Sequence, residues 1–151
     1  MGITAAEPFL LLEVEVGPPS QTGHIGAGER RFIPITGGRV SGAIRGEIIP
    51  GGADWQTIHD DGNLQVEAHY AFRTASAAVV EILSVGVRAG TPEVLKRLAA
   101  GESVNPAEYY FRTAMRFRTG APELAYINHR LYVSRGERRS GIVRLEVFEV
   151  L

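Results

Sequence analysis

The chain has 151 residues, 44% of them hydrophobic and 22% charged, a length and mixture that suit one folded domain over residues 1–151 and exclude disorder or a coiled coil. Sixteen basic residues against seventeen acidic ones leave a net charge of −1, which supplies no excess positive field for a nucleic-acid backbone. The absence of cysteine excludes thiolate catalysis, zinc–thiolate sites and disulfides.

At the N-terminus, "MGITAAEPFLLLEVEVG" lacks a basic leader and is interrupted by acids within a few residues, so it reads as a strand over 9–16. No apolar run is long enough to cross a membrane as a helix, and the cytosol is the expected location. "GHIGAG", residues 23–28, opens onto a strand rather than a helix, which removes it as a dinucleotide fingerprint. Further segments with period-two alternation follow at 30–36, 40–49, 63–74, 78–88, 108–118, 125–134 and 142–151, about eight strands in all. Pro50-Gly51-Gly52 reads as a turn, and Asp60-Asp61-Gly62-Asn63 as a hairpin turn. Only residues 91–101 read as a helix: Thr91 is the N-cap, Pro92 the first helical position, Glu93 lies at the positive end of the dipole and Gly101 ends it. The prediction is an all-β, mainly antiparallel fold, a closed or nearly closed barrel of about eight strands with one short helix, because closure removes exposed sheet edges.

Alternation also assigns faces. On 63–74, Leu64, Val66, Ala68, Tyr70 and Phe72 oppose Gln65, Glu67, His69 and Arg73; on 108–118, Tyr109, Phe111, Thr113, Met115 and Phe117 oppose Tyr110, Arg112, Arg116 and Arg118. On 125–134, Tyr126, Asn128, Arg130 and Tyr132 oppose Ile127, His129, Leu131 and Val133. Two architectures satisfy this pattern. Either the apolar faces fill a solid core and the charges are wet, or the barrel holds a ligand and a few polar groups project into its lumen.

Several residues carry candidate chemistry under the second architecture. Glu67 and His69 stand two apart and project to one side, where a carboxylate and an imidazole could act on one molecule; the alternative is an ion pair with Arg73 or Arg112. Asp54 is either a carboxylate at the barrel mouth or a turn cap, and Trp55 beside it is either an aromatic wall or core. Arg112 and Arg73 could hold a carboxylate, enolate or phenolate through two parallel hydrogen bonds, with the Tyr110 phenol on Arg112's side. "RGERR", residues 135–139, reads as a charged turn held by loop salt bridges, the alternative being an anion site. His24, His59, His69 and His129 lie on separate segments, so no metal site is expected.

The stretches "RRFIPITGGRVSGAIRGEIIPGGADWQ", "EYYFRTAMRFRTGAPELAYINHRLYVSRGERR" and "VFEV" resemble the bacterial and fungal family known as domain of unknown function 3237, most specifically in "ITGG", "PGGADWQ", "YYFRT" and "GERR". The resemblance implies a single barrel with one short helix, similar in outline to the allene oxide cyclase and dirigent barrels, which hold apolar small molecules. It implies acid–base isomerisation or ring closure in secondary or aromatic metabolism without a cofactor, or else a carrier that leaves its ligand unchanged. Glu67, Arg73, Arg112 and Asn128 fit the family's pattern; His69 matches no fixed histidine. On this reading Glu67 and Asp54 are the catalytic candidates, and Trp55, His69, Arg73, Tyr110, Arg112 and Asn128 bind an apolar, oxygen-bearing substrate. The chain departs from the pattern at Glu81 and Ser84, where an aromatic residue and an asparagine are usual, at Ser134, where a glycine is usual, and at His129 and Arg130. Barrels of this outline often pair through an outer apolar face, so a homodimer is expected, with neither nucleic acid nor membrane as partner.

Overall fold

The computed structural model describes residues 2–151. Nine strands are formed: β1 (Leu10–Val16), β2 (Ser20–His24), β3 (Glu29–Gly42), β4 (Gly46–Ile58), β5 (Leu64–Thr74), β6 (Val79–Ala89), β7 (Tyr110–Arg118), β8 (Tyr132–Arg139) and β9 (Ile142–Glu149), with helix α1 (Pro92–Ala99) between β6 and β7. The strands follow the order β1-β9-β8-β7-β6-β5-β4-β3, and β1 then pairs antiparallel with β3, from Leu10 opposite Gly42 to Val16 opposite Ile35. The result is a closed eight-stranded antiparallel barrel, with β2 added on the outer edge of β3. Closure leaves no long edge to template aggregation. Among the described residues no helix is long and apolar enough to cross a membrane.

Helix α1 starts as its sequence dictates. The Thr91 side chain accepts from the Val94 N–H at 3.3 Å, and beyond the helix Gly101 adopts φ +80° while the Glu102 N–H returns to the Arg97 carbonyl at 3.0 Å, a Schellman ending. Val94, Leu95 and Leu98 are buried and join the barrel core.

Four local expectations are corrected. Segments 30–36 and 40–49 are not two strands: β3 runs unbroken through Gly37-Gly38 to Gly42, its register against β4 shifting between Pro34 and Arg39, and 40–49 spans the end of β3, the connection at 43–45 and the start of β4. Pro50-Gly51-Gly52 is a bulge inside β4, where the register against β5 shifts between Ile49 and Ala53. Glycine and proline signal an interruption of the ladder, and a bulge uses the same residues as a turn. Residues Pro122–His129 form a 3-10 segment, so the faces assigned to 125–129 do not exist, and "RGERR" is the end of β8. The short polar strand β2 carries no alternation that would have marked it.

The interior divides into two ends. At one end Leu10, Leu12, Phe72, Val80, Ile82, Phe117, Tyr132 and Val147 are each at most 1% exposed and form a solid apolar plug. At the other end, where β1, β4, β6 and β8 finish and β3, β5, β7 and β9 begin, the inward positions turn polar. Outside, β6 presents Val79, Leu83, Val85 and Val87, each at least 40% exposed, an aliphatic row on a face that sheets ordinarily keep polar.

Candidate functional site

Alternation along β3, β4, β6 and β8 carries Arg31, Asp54, Gln56, Arg88 and Arg138 to the inner face of that second end. Arg31 lies opposite Gln56 across β3–β4, and Arg88 lies opposite Leu64 of β5 and Phe111 of β7. A chain of polar contacts joins Arg31, Gln56 and Asp54. Arg31 Nε donates to Gln56 Oε1 at 2.9 Å, and Gln56 Nε2 donates to Asp54 Oδ2 at 2.8 Å. On the opposite side the Arg138 backbone N–H donates to Tyr109 Oη at 2.9 Å. Asp54 Oδ1 and Arg88 Nε are buried and have no hydrogen-bond partner among the described residues, and a native protein rarely leaves such groups without a purpose.

The electrostatics follow from burial. Removal from water pushes the Asp54 carboxyl up to about 6, and hydrogen bonds from Gln56 and the Glu67 backbone and the Arg88 and Arg31 charges only partly oppose this. Arg88 is pushed down to about 10, first by burial and then by the charges of Arg138 and Arg31. Arg31 and Arg138 are lowered too, burial being the larger cause in each. Burial and the Asp54 charge together raise the Tyr70 phenol, keeping it protonated.

Asp54 borders an interior cavity of about 40 Å³, walled by Val14, Val66, Tyr70, Phe111 and Leu145 and reaching Ser84 and Thr113. That volume suits water rather than a ring, against roughly 300–1,000 Å³ for drug-sized sites. Behind it runs a fully buried hydroxyl chain: Ser84 Oγ donates to Thr113 Oγ1 at 2.9 Å, and Thr113 Oγ1 shares a hydrogen with Ser134 Oγ at 2.5 Å. Ser84 and Ser134 are thus joined through Thr113. A much larger concavity, about 860 Å³, is an open groove on the outer face lined by Val85, Val87, Tyr110, Arg112, Val133 and Phe148 among others. It contains no carboxylate to move a proton, so the interior is the chemical candidate.

Of the residues singled out in the sequence, the structure brings only Asp54 into this end of the barrel. Glu67, His69, Arg73, Tyr110 and Arg112 lie on the outer face, because the apolar sides of β5 and β7 take the inside and the opposite positions must then face out. His69 Nε2 contacts Glu81 Oε2 at 2.7 Å on the surface rather than Arg73 or Arg112. Arg112 stacks over the Tyr110 ring at 5.0 Å and donates to the Phe111 carbonyl. Trp55 is 38% exposed and packs outside against Phe32, with Arg30 above its ring. Asn128 accepts from the Thr119 N–H and donates to the Thr119 carbonyl, closing the loop that carries the 3-10 segment. Among the described residues no group of three or more acids or histidines is placed to hold a metal ion.

Sequence reasoning missed Arg31, Gln56, Arg88, Tyr109 and Arg138 as a group. The signal was present: Arg31 alternates in phase with Ile33 and Ile35, and Arg88 with Val80, Ile82 and Ser84, so each is a cation on an otherwise inward face.

A family model described as "Protein of unknown function (DUF3237)" matches residues 4–150. The UPF0311 protein RPA1785 of Rhodopseudomonas palustris is 41% identical over 93% of this chain and 92% of its own length. Its crystal structure, described as that of a conserved protein of unknown function, superposes with a TM-score of 0.92 over 100% of this chain and 99% of that one, at 37% identity. A UPF0311 protein of Clostridium acetobutylicum is 34% identical over 98% of this chain and 88% of its own. An enzyme from Penicillium herquei, 17% identical, matches over 100% of both chains with a TM-score of 0.68; at that identity the likeness is one of fold alone.

Proposed function

The chain belongs to the DUF3237 family, and within that family's barrel we propose a cofactor-independent enzyme that isomerises or cyclises an apolar, oxygen-bearing small molecule, with Asp54 moving the proton. The observation that carries the reading is the Asp54 carboxylate itself, inside the barrel against the cavity, with Oδ1 unpartnered and its pKa near 6. Such a group exchanges protons readily near neutral pH. In isomerisation Asp54 removes a proton from carbon, the electron pair moves to the carbonyl oxygen as an enolate, and the protonated acid returns the proton to another carbon. In ring closure the proton leaves a hydroxyl, its oxygen attacks a conjugated carbon, and the enolate so formed takes the proton back. Either way the negative oxygen develops beside Arg88 and Arg31, where fixed positive charge in a dry site stabilises it. Because the cavity is small, a ring-sized substrate enters only as side chains at this end move aside.

Hydrogen–deuterium exchange at the acidic carbon of phenylacetone and of phenylpyruvate, followed by NMR, tests this. Asp54→Asn is expected to lower the accelerated rate at least 100-fold, in line with the roughly 10²–10⁴ that general acid–base groups contribute, while Glu67→Gln stays within twofold of wild type. Full activity in Asp54→Asn ends the proton-transfer reading. Binding of either ketone with no acceleration over buffer would establish the carrier instead.

We propose a second copy of the chain as its macromolecular partner, seated on the aliphatic row of β6. Glu67 flanks the row on β5 at the level of Val85, and Arg112 and Arg116 flank it on β7, two residues to either side of Ala114, which lies opposite Val85. A twofold axis along β6 would bring each Glu67 between the two arginines of the other copy. Sedimentation at micromolar concentration is expected to give twice the chain mass, and Val85→Glu a monomer; a monomeric wild type would overturn the pairing.

A further inference from the structure

We propose that Arg31, Arg88 and Arg138 form an oxyanion subsite inside the barrel, which takes the carboxylate or acidic enol oxygens of an otherwise apolar ligand. The proposal deepens the proton-transfer reading, on which it rests for the ligand's apolar, oxygen-bearing frame, by adding its charge. Arg31 and Arg88 both act on the one carboxylate, Asp54, and Arg138 acts on both arginines, so with Asp54 ionised two positive charges in a partly buried space lack a protein counter-charge. Tyr109 accepts from the Arg138 backbone, and the Arg138 guanidinium donates to the Arg139 carbonyl, so neither contact supplies a negative charge. Several surface cations are paired with acids: Arg135 with Glu146 at 2.8 Å, Arg130 with Glu149 at 3.0 Å and Arg139 with Glu137 at 3.1 Å. The inner cluster has no such set of acids, although an uncompensated charge costs more there than on the surface.

Arg88 carries the argument furthest. It is only 7% exposed, and its Nε is buried without a partner. A guanidinium is a planar fork that matches two oxygens of a carboxylate or of a chelating enolate, a geometry that a single hydroxyl or amide satisfies poorly. The nearby cavity supplies apolar wall from Val16, Ile35, Val143 and Leu145, so the fitting ligand has an acidic oxygen at one end and hydrocarbon at the other. Arg88 and Arg31 also act on the Asp54 carboxylate, so an enolate oxygen formed beside that acid would meet their charge, which lets one cluster serve both binding and turnover.

Calorimetric titration with phenylacetate and with phenylacetamide, equal in frame and different in charge, tests the subsite without any need for turnover. Wild type is expected to bind phenylacetate at least tenfold more tightly than the amide. Arg88→Met should weaken phenylacetate at least tenfold and leave the amide unchanged; Arg138→Met gives the same reading should Arg88→Met fail to fold. Arg135→Met, on the surface, should alter neither. Asp54→Asn should hold or tighten phenylacetate binding, since it removes the cluster's one negative charge, so lost exchange with retained anion binding counts only against the catalytic reading. Equal affinity for acid and amide, no phenylacetate binding at millimolar concentration, or indifference to both arginine variants would overturn the subsite.

Discussion

Asp54→Asn is expected to be more stable than wild type at pH 7.5 by about 3 kcal/mol, from a pKa raised by about two units at roughly 1.4 kcal/mol each. The sign follows from the direction of the shift. A carboxyl whose pKa is higher folded than unfolded favours the folded state fully below about pH 4, where both states are protonated. As pH rises from about 4 to about 6 the unfolded chain ionises first, and that stability is lost. Asparagine mimics the protonated acid at every pH and escapes the loss. Urea unfolding of both proteins at pH 4 and pH 7.5 is the measurement: the two should nearly coincide at the lower pH and separate at the higher. A gap of the same size at both values would mean that burial does not perturb Asp54. A gain in stability with a loss of turnover is the exchange expected where a buried group is kept for chemistry.

Gly52→Ala is expected to cost about 3 kcal/mol, the upper part of the usual range for overpacking. A Cβ at Gly52 would lie 2.4 Å from Tyr70 Cβ and 2.7 Å from the His69 carbonyl oxygen, contacts made by β5 backbone and a rigid branch point that cannot swing away. The bulge would have to open, and with it the placement of Ala53 and Asp54 that leads into the site. Gly120→Ala is the control, since nothing lies within 4 Å of its added carbon, and a surface change of that kind stays within about 0.5 kcal/mol. Chemical melts that fail to separate the two variants would show that β4 does not need glycine at this crossing.

The same bulge explains what was misread in the sequence. The "PGGADWQ" stretch was legible as an interruption, but whether two glycines reverse a chain or merely kink it depends on the strand alongside, here β5. Gly37-Gly38 acts similarly and also changes phase: Arg31, Ile33 and Ile35 point inward before it and Val40 after it. Alternation read across that pair splits one strand into two.

Local regularities were determined by sequence alone: the all-β class, the boundaries of β5 and β6 to within a residue, the caps of α1, and the division of β5 and β7 into an apolar and a polar face. These rest on the period-two geometry of extended chain and on hydrogen bonds between residues a few positions apart, so the information lies within each segment. Tertiary structure decided the rest. Closure of β1 onto β3 chose which face lies inside, sent Glu67, His69, Arg73 and Arg112 to water, and gathered Arg31, Asp54, Arg88 and Arg138 from four strands onto one end. That gathering depends on register between segments far apart in the chain, as far as Leu10 opposite Val147, which no single strand's pattern encodes.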